Sequence, residues 1–142
     1  MSPTLISAII SILLAATLYT IAVFSERRAG VLKVWHLVLF WAGLVFDTLG
    51  TTLMSDIAGG WKPDIHGILG VIAIALMLFH SVWASIALWM KQDKVLAQFH
   101  RLSLFVWILW MAALFSGFIG VGLRLATEGH AGDPGSTAFP GQ

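Results

Sequence analysis

VWHLVLFWAGLVFDTLGTTLM, residues Val34 to Met54, is apolar almost throughout and holds a single acid, Asp47, and a single imidazole, His36. At about 1.5 Å of rise per residue, a helix of this length crosses a hydrocarbon core of roughly 30 Å. His36 and Asp47 are eleven residues apart. At about 100° per residue they return to within roughly 20° of each other. Gly43 and Thr51 fall on the same line, so the helix has one polar stripe on an otherwise apolar surface. In lipid such a stripe must face protein. The stretch therefore predicts a spanning helix with one inward face, and that face requires partner helices.

The partners are visible on either side. Leu5 to Phe24 is uncharged, Ile65 to Met90 is interrupted only by His66 and His80, and Leu102 to Val121 is closed by Arg124. Helices are expected over about 5–24, 32–54, 65–90 and 101–124. The first run is not read as a cleavable signal, because no basic residue precedes it and Arg27-Arg28 follows it. Gly59-Gly60-Trp61-Lys62-Pro63 marks a turn, and Trp61 and Trp89 suit the two interfaces. Connections this short force antiparallel neighbours, giving an all-α, up-down-up-down four-helix membrane bundle with both termini on one side. Residues 126–142, rich in Gly, Pro and small polar residues, are expected to form a flexible tail.

Composition agrees. The 142 residues are 58% apolar and 11% charged, against roughly 45–50% and 25% in soluble domains. There is no cysteine, which excludes disulfides, thiolate-held clusters and covalent c-type haem attachment. A net charge of +1 carries no signal for nucleic acid. Arg27, Arg28, Lys33, Lys91, Lys94 and Arg101 lie at one end of the bundle, and only Lys62 and Arg124 at the other. By the positive-inside rule the basic end is cytoplasmic and both termini lie outside.

Ionisable groups inside the apolar runs are where function is sought. His80 is expected near the bilayer centre, with His36 roughly 10 Å toward the basic end. His100 is expected near the basic surface and His66 near the opposite one. The third helix aligns His66, Gly70, Ala73, Met77, His80, Ala84 and Ala87 on one face. Its small residues permit either close helix contact or a flat macrocycle against the backbone. The spacing His66-x13-His80 is that of diheme cytochrome b helices, but two haems need four imidazoles at two matched depths. His66 lacks a partner at its own depth, so at most one haem b is expected. Its axial ligands would be His80 with His36, or His100 in its place, and Gly43, Gly70 and Met77 would line it. Asp47 reads as a proton-exchanging or ligand-orienting acid, or as a helix-to-helix hydrogen-bond acceptor for Tyr19, Thr48, Thr51 or Thr52. Trp107 and Trp110 read as core or lipid contacts.

The segments Trp35-His36, Gly43-Leu44-Val45-Phe46-Asp47-Thr48-Leu49-Gly50-Thr51-Thr52-Leu53-Met54, His66-Gly67-Ile68-Leu69-Gly70 and Met77-Leu78-Phe79-His80-Ser81-Val82-Trp83-Ala84 resemble the HsmA family of small prokaryotic membrane proteins. The resemblance covers residues 1 to about 125 and places His36, Asp47, Thr51, His66 and His80 at motif positions. It implies a four-helix protein of the prokaryotic cytoplasmic membrane and carries no activity with it.

Two functional expectations follow. One is a small b-type cytochrome, an electron-transfer protein or haem-dependent oxidoreductase working with quinol or a membrane redox partner. The other is a haem-free protein: a self-associated proton- or cation-linked transporter in which Asp47, His80 and His66 form the route, or an accessory or sensor subunit of a larger assembly. Lipid is a partner in either case, and nucleic acid in neither.

Overall fold

In the computed structural model, which describes residues 2–91 and 93–131, the chain forms four helices: α1 (Pro3–Ala29), α2 (Val34–Ile57), α3 (Ile65–Met90) and α4 (Asp93–Ala131). All four are long and apolar enough to cross a membrane, and the chain is a multi-pass membrane protein. Three of the helix ends have a clear local cause. The Ser2 hydroxyl accepts from the Leu5 amide at 3.2 Å with Pro3 following it, and the Asp64 carboxylate accepts from the Gly67 amide at 2.7 Å. Gly30 ends α1 in the left-handed region (φ 64°), where its amide reaches the Glu26 carbonyl at 3.1 Å.

The first and fourth helices outrun the bounds expected for them, α2 is shifted by two or three residues, and α3 matches. The first continues to Ala29 because Ser25, Glu26, Arg27 and Arg28 favour or tolerate helix until Gly30 stops it. The fourth continues past Arg124 to Ala131, so residues 126–131, expected in a flexible tail, are helical. Leu125, Ala126 and Glu128 are acceptable helix residues, and the Thr127 hydroxyl donates back to the Leu123 and Arg124 carbonyls. The rest of the expected tail, residues 132–142, lies outside the described residues.

Burial follows one rule in every helix. The buried positions are spaced alternately by four and three: His36, Phe40, Gly43, Asp47, Gly50 in α2; Ala73, Met77, His80, Ala84, Ala87 in α3; Phe99, Ser103, Val106, Trp110, Ala113 in α4. In α1, Ala8, Ser11, Ala15, Tyr19, Ala22 and Glu26 keep nearly the same spacing. Spacing of this kind is the one that packs helices as a left-handed bundle, with neighbours crossing at roughly 20°. The opposite faces, among them Ile10, Val45, Val71, Phe79, Phe105 and Ile119, are exposed and apolar, as lipid contact requires.

Order around the bundle is α1, α2, α3, α4, with no backbone approach across either diagonal among the described residues. The α1–α2 hairpin is the most extensively packed pair, α3–α4 is next, and the two hairpins meet through narrower seams. Small residues account for the first. Gly43 sits against the Tyr19 ring and Gly50 against Ile12 and its backbone, so close that a Cβ on either would fall 2.6–2.7 Å from those side chains. Close backbone approach is how helices gain dispersion energy in lipid, which offers no hydrophobic drive.

Burial is concentrated toward the basic end. No residue of α4 beyond Ala113 and none of α3 before Ala73 is buried among those described. The hairpins close around one half of the interior and part toward the other.

Candidate functional site

Asp47 projects from α2 into the bundle and is 3% exposed. Its Oδ2 accepts from the Trp110 indole N–H at 2.7 Å and, more weakly, from the Tyr19 hydroxyl at 3.4 Å. The two donors touch edge to face, with ring centroids 5.2 Å apart. Trp110 belongs to α4, diagonally opposite α2, so its indole crosses the bundle axis to reach the acid. One carboxylate thus ties α1, α2 and α4 together.

Of the partners expected for Asp47, only Tyr19 is found. Thr48 and Thr52 donate back along their own helix to Leu44 and Thr48 carbonyls at 2.8 and 2.7 Å, the usual satisfaction of a membrane threonine. Thr51 is half-buried, and Gly50 takes the inward position beside it. Trp110, expected as a core or lipid contact, is the acid's main donor. A clue lay in the sequence: a buried indole N–H needs an acceptor, and Asp47 is the sole acid inside the second run.

About 10 Å along the axis from Asp47, one heptad toward the basic end, lies an aromatic layer around His80. His80 is fully buried. Phe99 of α4 stacks on its ring (centroids 4.7 Å, 17° between planes) and Phe40 of α2 meets it edge-on at 4.7 Å. Met77, one turn away on the same face, is equally buried. Neither His80 nitrogen has a hydrogen-bond partner. An imidazole without partners in a dry interior is costly, and such a group calls for a functional explanation.

His36 lies one turn beyond Phe40 and is also fully buried. Its Nδ1 accepts from the Lys33 amide at 3.0 Å, closing the start of α2, and its Nε2 is unpartnered. In a neutral ring an accepting Nδ1 places the proton on Nε2. As held here, His36 therefore presents an N–H to the interior instead of a lone pair.

His100 points to α1. Its Nδ1 lies within hydrogen-bond reach of Glu26 Oε1, while the Arg27 guanidinium donates to the His100 carbonyl at 3.3 Å. Glu26 is fully buried. Nothing in the sequence reading singled it out, because it stands beside Arg27 and Arg28 and looks like part of a solvated loop. The available signal was phase: Glu26 lies four residues after Ala22 and seven after Tyr19, on the inward seam of α1.

His66 is near the opposite end and largely exposed. Its Nδ1 and the Ser116 hydroxyl are 3.0 Å apart, and its ring packs on Gly117, where a Cβ would fall 2.7 Å from it. Gly70 has open space in front of it, whereas the room expected at Gly43 is filled by Tyr19. The structure thus gathers His36, His80 and His100, with Glu26, in the basic half of the interior, one residue from each helix. Asp47 stands apart near the middle, and His66 and Gly70 lie on the open side. Among the described residues, no three metal-type side chains come together as a cluster. Comparison with protein-family models, with curated proteins and with solved structures found no match.

Proposed function

We propose that this bundle holds one haem b through His80 and passes electrons between a membrane carrier such as quinol and a membrane redox partner. The observation that carries the reading is the pair of unpartnered nitrogens on a fully buried His80. Neutral imidazole is a strong ligand for haem iron, and bundle interiors commonly house such cofactors. Phe40, Phe99 and Met77 make the surroundings of His80 dry and apolar, and the two rings packed on the imidazole would have to move aside to admit the group. When bound, it would supply a one-electron couple. The chain's own contribution is to hold the ligand, exclude water and keep Asp47 as a polar, hydrogen-bonded acid farther along the interior.

His36 is the second ligand in this reading, at a stated cost. Its Nε2 lone pair becomes available only when the proton moves to Nδ1, which gives up the Lys33 cap, worth about 1 kcal/mol. Coordination to the haem iron would offset that loss. HsmA-family kinship and the prokaryotic cytoplasmic membrane, with the basic end inside, belong to the same proposal.

His80 is closed in by aromatic rings, so the cofactor must enter as the hairpins come together. The test is therefore expression with haem supplied, purification in detergent and a reduced-minus-oxidised visible spectrum. The expected result is a b-type spectrum that His80→Ala abolishes and His66→Ala leaves intact. His36→Ala should retain the haem and convert a six-coordinate low-spin spectrum into a five-coordinate high-spin one. A colourless protein under these conditions overturns the proposal.

A further inference from the structure

Glu26 and His100 join α1 to α4 at the basic end, and their surroundings differ in one respect. The imidazole side chain is 23% exposed while the carboxylate is wholly buried. Glu26 Oε1 faces His100 Nδ1, and Glu26 Oε2 has no partner at all. The Ser103 hydroxyl, one turn after Phe99 on α4, lies beside Glu26 as a potential donor, and its oxygen, like Glu26 Oε2, is buried without a partner at hydrogen-bond geometry. A pair that served only to tie two helices would have no use for a bare carboxylate oxygen in a dry interior, where each unsatisfied polar group costs about 1–3 kcal/mol.

We propose that Glu26 and His100 form a proton-exchange site, with His100 as its solvent-facing end and Glu26 as its interior end. The step balances as follows. Water at the membrane surface delivers a proton to His100 Nε2, and the proton on Nδ1 passes to Glu26 Oε1. The imidazole stays neutral with its proton now on Nε2, and the carboxylate becomes a carboxylic acid. Release is the same sequence reversed. One proton enters for each proton held, and no other reactant is needed.

The groups that can bias the site are few. From α4 they are His100 and Ser103; on α1 itself Arg27 holds the His100 carbonyl. From α2, Lys33 is exposed and His36 buried at this end, and α3 contributes His80 to the same half of the interior. The buried pair therefore faces no second carboxylate among these groups, and one proton is the natural unit of its exchange.

This inference does not depend on haem and is tested without it. The measurement is infrared difference spectroscopy of the purified protein in lipid nanodiscs, titrated from about pH 5 to about pH 9, the range in which imidazole and perturbed carboxyl groups titrate. Asp47→Asn serves as the background, so that a carboxylic C=O band cannot come from the other buried acid. A pH-dependent band is expected in this background, lost on Glu26→Gln. On His100→Gln it should remain, with its midpoint moved by about 1 pH unit or more. Should Glu26→Gln fail to fold by circular dichroism, Glu26→Asp must shift the band's frequency instead. The proposal is overturned if no pH-dependent carboxyl band is present, if the band is indifferent to Glu26 substitution, or if His100→Gln leaves its midpoint unchanged. A missing Soret band would leave this result untouched, and a missing carboxyl band would leave the haem reading untouched.

Discussion

Asp47→Ala is expected to destabilise the bundle by about 2–6 kcal/mol. The alanine leaves the Trp110 indole N–H and the Tyr19 hydroxyl facing a dry interior with no acceptor, and two stranded donors at about 1–3 kcal/mol each set the magnitude. The interaction spans the diagonal between α2 and α4, whose backbones do not approach one another. Its loss should therefore loosen the hairpins from each other before either hairpin melts. Reversible unfolding in mixed micelles measures the cost, and Trp110 fluorescence reports the loosening after the other tryptophans are replaced by phenylalanine. Asp47→Asn keeps an acceptor oxygen and should cost less than about 1.5 kcal/mol. Equal losses for Ala and Asn would show that the hydrogen bonds are not what the acid contributes.

Gly43→Ala should cost about 1–3 kcal/mol, as overpacking does in a well-filled interior. The added methyl would lie 2.6 Å from Tyr19 Cε1 and 2.7 Å from Cδ1. Tyr19 cannot swing away freely, because its hydroxyl is bonded to Asp47 and its ring rests on Trp110. The substitution therefore acts on packing and on the acid's hydrogen bonds together. A double-mutant cycle with Tyr19→Ala checks this: removing the ring should rescue most of the Gly43→Ala loss, a coupling of about 1 kcal/mol or more. Strict additivity would place the strain elsewhere. Gly70→Ala meets open space and should be nearly neutral, as helix propensity slightly favours alanine.

Most of the architecture was legible because it depends on one helix at a time. An uncharged run of sufficient length spans lipid wherever its neighbours are, and the His36, Gly43, Asp47 line follows from helical phase alone. All three of those residues are buried. The stripe on α3 was read correctly only from Ala73 to Ala87. Its outer part, His66 and Gly70, is not buried, since the hairpins part there and phase says nothing about where a partner helix ends its contact.

The site was less legible. Glu26 was hidden by its charged neighbours, and Trp110 by the ambiguity of aromatic residues, which suit lipid and core alike. Placing His36, His80 and His100 by depth put His100 near the basic surface, where its imidazole is partly exposed. Depth did not show that this imidazole lies against a buried carboxylate, nor that the adjacent Phe99 stacks on His80.

By itself the sequence determined the number of crossings, the inward face of α2, that of α3 from Ala73 to Ala87, and the gathering of basic residues at one end. Apolar length, helical phase and charge distribution are local properties of each segment. Only the tertiary structure decided that Asp47 meets Trp110 across the axis, that His80 is walled by Phe40 and Phe99, and that His100 holds Glu26. Those pairings depend on the axial register between helices, and register is set by which small residues accept which neighbouring side chains, as Gly43 accepts Tyr19.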